Sequence, residues 1–314
     1  LLRYALPESR SFGRARASIA TSASFDHVLS LESYGLTAIR IEERSELGVA
    51  LRWRVTGTPL EDYHVSLRVT DDRGYMWGQY DALLQDERGH TVHVWQQDQT
   101  YDTLLAVSLT EGVPPGSYCL GVRLYKPGDL STLPVLDASG HLLGTEHTIA
   151  CIQVTPPRLP ISSDRLEMRQ PVGVVVGDGI ELLGFTSPEE VVSGDRLAVW
   201  LCWKALATPA ARYHANLTLL SDSYVAASVR DHPLGSGHPT DRWQAGESAC
   251  YPFEMEIAPD TPSGEYGLTL GLLDPAGRPL LAEAQRLGDI AVTYRERLFR
   301  APAPAYAADA RFGE

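Results

Sequence analysis

The sequence predicts an all-β protein composed of two tandem immunoglobulin-like β-sandwich domains of about seven strands each. Residues 197–231 repeat residues 47–81 at a constant offset of 150 positions, so that Trp53 matches Trp203 without a gap. Apolar residues alternate with polar ones in short segments, as expected of strands with one buried face. Gly, Pro and Asp turns separate these segments, and no convincing amphipathic helix interrupts them. This combination favours a two-sheet sandwich over a barrel.

The repeat divides the chain into parts of ordinary domain size. We expect an N-terminal extension over 1–24, a first domain over 25–155, a proline-rich linker over 156–171 and a second domain over 172–296. A tail follows over 297–314. Its closing sequence is similar to the segment that opens the second domain, so the tail is interpreted as the place where a third repeat would begin.

Strands are predicted in the same order in both copies. The clearest alternation is Leu-x-Val-x-Leu-x-Trp at 47–53 and again at 197–203, which places four large apolar side chains on one face. The other predicted strands of the first copy lie within 25–34, 63–69, 75–81, 105–109, 114–120 and 152–154.

Four recurring aromatic residues are predicted to be structural. Trp53 and Trp203 alternate inward and are expected to lie in the core between the sheets. Tyr118 and Tyr266 each follow a Pro-x-Gly turn, and their hydroxyl groups are expected to bond the backbone at that turn.

The loop after the fourth strand holds the candidate binding residues. In the two copies these are Asp81, His90 and Trp95, and Asp231, His238, Thr240 and Trp243. One hypothesis is a sugar-binding platform, in which the indole stacks on a pyranose and the polar groups bond its hydroxyls. The alternative, which we favour, is a structural plug in which Trp fills the loop while Asp and Thr240 bond backbone atoms.

The four cysteines predict two disulfides within domains. Cys202 and Cys250 take the places of Arg52 and Asp102, all four on the outward face of two neighbouring strands. The same cross-strand position would therefore carry an ion pair in one copy and a disulfide in the other. Cys119 and Cys151 lie on the last two strands of the first copy and predict the second bridge.

Charge and motifs limit the classes of function. The net charge of −13 argues against nucleic acid or anionic lipid as a partner, and no apolar run reaches the roughly 18 residues of a membrane span. We find no nucleophile elbow, phosphate-binding loop or metal-ligand spacing. No catalytic residue, cofactor or metal is therefore predicted, and an enzyme ranks third among the functional hypotheses.

The second copy resembles the β-sandwich modules found in the extracytoplasmic parts of bacterial membrane proteins related to the dolichyl-phosphate-mannose protein mannosyltransferases. The similar segments include GDGIELLGF, SGDRLAVWLCWKA, DHPLGSGHPTDRWQAGE and APDTPSGEYGLTLGLLDPAGRPL, whereas the first copy matches more loosely. The resemblance implies an extracellular or cell-surface location and a non-catalytic role.

The primary functional hypothesis is a structural or carbohydrate-recognition appendage, with a glycan or a cell-envelope component as its partner. The alternative hypothesis is a subunit of a surface filament or array. In that case the terminal segments, 1–24 and 298–314, would pair with a neighbouring copy's sheet edge.

Overall fold

The computed structural model describes residues 15–156 and 165–295, apart from positions 44, 167, 178 and 236. These residues form β-strands joined by turns and short 3-10 segments, with no α-helix among them. The prediction of an all-β protein is therefore confirmed. Within the described ranges, no helix is long and apolar enough to cross a membrane.

Strands β1–β11 belong to the first repeat and β12–β20 to the second. Those of the first are β1 (Ile19–Phe25), β2 (Leu29–Leu36), β3 (Arg40–Glu42), β4 (Glu46–Val55), β5 (His64–Thr70), β6 (Met76–Leu83), β7 (Thr100–Ser108), β8 (Gly116–Tyr125), β9 (Val135–Leu136), β10 (Leu142–Gly144) and β11 (His147–Thr155). Those of the second are β12 (Gln170–Val176), β13 (Ile180–Thr186), β14 (Glu190–Val192), β15 (Arg196–Ala205), β16 (His214–Leu220), β17 (Val225–Pro233), β18 (Ser248–Glu256), β19 (Gly264–Leu273) and β20 (Gln285–Thr293).

The strands form four sheets that pack in two pairs. The first repeat contributes a sheet of order β10-β9-β1-β2-β4-β7 and a sheet of order β3-β11-β8-β5-β6. The second contributes β12-β13-β15-β18 and β14-β20-β19-β16-β17. Each pair encloses its own hydrophobic cluster, built from inward side chains of both of its sheets.

In both repeats the chain changes sheets at its short third element. After β2 it joins the opposite sheet as β3, which lies parallel to β11, and after β13 it does the same as β14, parallel to β20. The other strand pairs are antiparallel. A segment of three residues is too short to show a period of two, so β3 and β14 do not appear in the sequence-based prediction.

The alternation predicted for the second strand holds in both copies. Leu47, Val49, Leu51 and Trp53 are each at most 1% exposed, and Leu197, Val199, Leu201 and Trp203 are 0% exposed. The ring of Phe25 packs edge-on against Trp53, with 5.5 Å between ring centroids. Both tryptophans therefore lie in the core.

Two strands begin before the predicted domain boundaries. β1 starts at Ile19, inside the predicted extension, and β12 starts at Gln170, inside the predicted linker. β1 pairs with β2 from Ile19 to Phe25 on one side, and with β9 only at Ser24 and Phe25 on the other. Of the terminal segments invoked for filament assembly, 1–14 and 298–314 lie outside the described residues.

Both predicted disulfides form. Cys119 bonds Cys151 and Cys202 bonds Cys250, each across directly opposed positions of antiparallel strands with Cα atoms 4.0 Å apart. At the position matching the second bridge, Arg52 donates two hydrogen bonds of 2.7 Å to Asp102. The predicted exchange of a disulfide for an ion pair is confirmed.

The outward face around Cys202 and Cys250 is covered rather than open to solvent, because the first repeat packs against it. Cys202 is 2% and Cys250 7% exposed, and Leu166 and Leu183 complete a small apolar cluster around them. The backbone N–H of Cys250 donates to the carbonyl of Gly112 at 2.8 Å. Alternation thus placed the cysteines on the correct face, while contact between the repeats buries that face.

Aromatic side chains complete this junction between the repeats. Trp77 of β6 and Trp200 of β15 pack edge to face with ring centroids 5.1 Å apart, and Tyr75 contacts Trp200 at 5.6 Å. Trp77 is 2% exposed, and its indole N–H donates to the Asp71 carboxylate at 3.0 Å. Trp200 matches Ala50 of the first repeat. The tryptophan that makes this contact is therefore not part of the repeated pattern.

Candidate functional site

The candidate loop of the second repeat is a packed plug. Trp243 is 2% exposed, its indole N–H donates to the carbonyl of His238 at 2.7 Å, and its ring stacks on Tyr251. The Thr240 hydroxyl, fully buried, donates to Ala211 O at 2.7 Å and accepts from Tyr213 N at 2.9 Å. These bonds tie the loop to the segment that leads into β16.

The corresponding loop of the first repeat has the same construction. Trp95 is 5% exposed, its indole N–H donates to His90 O at 3.0 Å, and its ring stacks on Tyr101 with 4.5 Å between centroids. The His90 side chain is exposed and contacts Asp86 at 3.2 Å. A sugar ring therefore finds no open indole face to stack on in either loop, which corrects the platform hypothesis and supports the alternative of a plug.

The two aspartates lie in strands rather than in the loops. Asp231 adopts a left-handed backbone conformation (φ 52°) within β17 and its carboxylate contacts His214 Nδ1 at 2.6 Å. Asp81 lies in β6 on the outer face of its sheet and accepts from Gln79 at 2.6 Å. Neither aspartate takes part in the Trp plug. His238 instead lies 2.9 Å from Glu247, which is largely buried.

The recurring tyrosines bond the turns that precede them. The Tyr118 hydroxyl donates to Pro114 O at 2.6 Å and the Tyr266 hydroxyl to Pro262 O at 3.0 Å. Both rings are almost fully buried. This is the tyrosine-corner arrangement of immunoglobulin-like sandwiches, and it assigns these residues a structural role.

A polar groove opens on the outer face of the sheet β3-β11-β8-β5-β6. Its central row is Arg123, Ser66 and Asp81, which stand directly opposite one another on β8, β5 and β6. The groove has a volume of about 410 Å³, within the roughly 300–1,000 Å³ range of ligand-binding clefts. Its lining is Ser66, Arg68, Gln79, Asp81, Arg123, Tyr125, Leu130 and Thr132.

One end of the groove is organised by Glu146. Gly121 leaves space on β8, because a Cβ atom there would lie 2.3 Å from Glu146 Oε1. The Glu146 carboxylate fills that space, accepting from Arg68 at 2.8 Å and lying 3.3 Å from Arg123. Both guanidinium groups are thereby held against the sheet.

The other end is formed by Tyr125 and His64. The Tyr125 hydroxyl lies 3.2 Å from His64 Nδ1. Burial and the negative charge of the neighbouring Asp81 carboxylate raise the pKa of Tyr125. The phenol therefore stays protonated at neutral pH and keeps a proton that it can donate.

The arginines and the tyrosine of this groove have no counterparts in the second repeat. Arg68, Arg123 and Tyr125 correspond there to Thr218, Gly271 and Leu273, which occupy equivalent positions in the β16–β19 pairing. The same scaffold thus folds without these groups, so they are not required for the sandwich itself. Among the predicted site residues only Asp81 belongs to the groove.

Comparison with known proteins gives no functional assignment. No family model matches the chain, and no curated protein matches it. Among solved structures it is similar to the crystal structure of a DUF4785 family protein from Legionella pneumophila, with 9% identity and a TM-score of 0.22. That match covers 83% of this chain and 57% of the Legionella protein, and its low TM-score carries no argument. Among the residues described here, no group of three or more His, Cys, Asp or Glu is placed to hold a metal ion.

Proposed function

We propose that this chain is a non-catalytic extracytoplasmic appendage in which two immunoglobulin-like sandwiches form one rigid unit. The paired sheets with separate cores, the sheet-switching third strand and the tyrosine corners support two tandem sandwiches. The primary role of such a unit is structural, namely to hold whatever it is joined to at a set distance and orientation.

The observation that carries the proposal is the junction between Trp77 and Trp200. Their edge-to-face contact at 5.1 Å joins an indole from each repeat, and the hydrogen bond from Cys250 N to Gly112 O adds a directional constraint. Apolar contacts of this kind oppose the relative motion expected of domains joined by a small polar interface.

Two features support the extracytoplasmic location. Disulfides persist in oxidising compartments and are rare in the reducing cytosol of mesophiles, and this chain forms two. The resemblance of the second repeat to extracytoplasmic modules implies the same location. Thiol alkylation of the protein taken directly from its native cells should find all four cysteines oxidised, and free thiols there would contradict the location.

Rigidity is tested by residual dipolar couplings measured separately for the two repeats. In the native chain both repeats should fit a single alignment tensor. Trp200→Ala installs the residue that the first repeat carries at this position and should give two different tensors with each fold intact. Leu60→Ala, at a position that is 90% exposed, is the matched control and should retain one tensor. Two tensors in the native chain would overturn the proposal.

A further inference from the structure

The floor of the groove on the first repeat contains two buried polar atoms without partners. Ser66 is 2% exposed, although it lies on the outward face of β5, and its hydroxyl has no hydrogen-bond partner within the described residues. The Nε–H of Arg123, beside it in the same row, is likewise buried and unpaired. Leaving such groups unsatisfied is costly, and both residues line the groove, so a ligand hydroxyl that entered the groove and shifted these side chains slightly would find two free bonding partners.

The charges around these atoms cancel. Arg68 and Arg123 are positive, Glu146 and Asp81 are negative, and all four converge on the groove or its end. An anionic ligand would have to displace Glu146 from both guanidinium groups, because that carboxylate already occupies the space between them. The electrostatics therefore favour an uncharged ligand.

The groups present both donors and acceptors at close spacing. Arg123 and Tyr125 donate, Asp81 accepts, and Ser66 can do either. Adjacent hydroxyls of a sugar each donate and accept, so they satisfy such a mixed set. At the rim, Leu130 is 69% exposed and offers an apolar surface to the C–H face of a sugar ring.

From this arrangement we propose that the groove formed by β5, β6 and β8 binds a neutral saccharide unit through its hydroxyls. One sugar hydroxyl accepts from Arg123 Nε and bonds Ser66 Oγ, while a neighbouring hydroxyl donates to Asp81. The site lies on the open face of a sheet, so it admits a unit within a longer glycan. This inference goes beyond the structural role proposed above and does not depend on the rigidity of the junction.

The test uses saturation-transfer difference NMR on the full chain with methyl glycosides of glucose, mannose, galactose and N-acetylglucosamine, and with glucuronic acid. At least one neutral glycoside should receive saturation from the native protein. Ser66→Ala removes one hydrogen bond, and Asp81→Asn replaces a charge-assisted bond by a weaker neutral one, so each should weaken the affinity by about tenfold. Thermal melting of each variant establishes that it is folded.

The second repeat supplies the matched control. Asp231→Asn changes the aspartate that corresponds to Asp81, at a place that lacks the two arginines, and should leave glycoside binding unchanged. The proposal is overturned if none of the four neutral glycosides binds, or if the groove variants bind as the native chain does. Binding of glucuronic acid alone would overturn the assignment of an uncharged ligand.

Discussion

Arg52 and Asp102 form a bidentate ion pair with two hydrogen bonds of 2.7 Å, at the position that a disulfide occupies in the second repeat. The paired strands β4 and β7 of the first repeat correspond to β15 and β18 of the second. In both pairs the opposed residues lie on the outward face. The ion pair is partly exposed, with side chains 43% and 34% accessible, so its own contribution to stability is small. The scaffold therefore accepts either link at this position.

Replacing the ion pair by a disulfide should stabilise the first repeat. In the double variant Arg52→Cys, Asp102→Cys we expect a new bond and a gain of about 2–4 kcal/mol, because the bridge restricts the unfolded chain. The measurement is the urea midpoint with and without reductant, together with intact mass. Arg52→Cys alone is the control and should show no gain. Two additional free thiols in the air-oxidised double variant would contradict the equivalence of the two positions.

Thr240 should stabilise the second repeat through its hydroxyl rather than its shape. Thr240→Val keeps the volume, and valine is the residue found at the matching position, Val92. It leaves the Tyr213 N–H and the Ala211 carbonyl without their buried partner. We expect a loss of about 1–3 kcal/mol in the free energy of unfolding. Thr218→Val, at a half-buried strand position, should change the free energy of unfolding little. Equal losses in the two variants would disprove the role of the Thr240 hydrogen bonds.

Gly35 should not tolerate a side chain. A Cβ atom there would lie 1.9 Å from the carbonyl oxygen of Arg16, so the segment leading into β1 would have to move. Gly35→Ala should cost about 1–3 kcal/mol, the usual range for forced overpacking. Gly128→Ala, where no atom lies within 4 Å of the new methyl group, should be nearly neutral. Urea unfolding compares the two, and a neutral Gly35→Ala would show that the N-terminal segment packs differently.

Stability should fall as the pH is lowered below neutrality, in part through His232. Burial, together with the charges of Arg73 and His214, lowers the pKa of His232 in the folded chain. The unfolded chain then binds more protons. The stabilisation is complete above the unfolded-state pKa of about 6.5 and is lost as the pH falls through the lower folded-state value.

The measurement is the urea midpoint between about pH 7 and pH 5, a range that covers histidine titration. The decrease should be smaller in His232→Asn than in the native chain. His147, whose pKa burial also lowers, remains titratable in this variant and accounts for part of the remaining decrease. Equal decreases in the two proteins would exclude His232 as a contributor.

Much of the scaffold could be predicted from local pattern and from the repeat. The alternation at Leu47 to Trp53 set the buried face, and the matching of Cys202 with Arg52 correctly predicted the cross-strand pairs. The groove could not be predicted this way. Its central residues Ser66, Asp81 and Arg123 come from three strands, and only sheet register places them in one row. A search for residues common to both copies also passes over a site that one copy alone carries.

The sequence by itself determined the all-β class, the faces of the strands and the partners of the cysteines. These follow from the period of two that the extended backbone imposes and from the pairing of neighbouring strands. Only the tertiary structure decided which outward faces are exposed. Trp77 and Trp200 bury one such face between the repeats, the loop tryptophans lie inside rather than outside, and the face around Ser66 remains open. Exposure depends on packing between segments distant in sequence, which local periodicity does not encode.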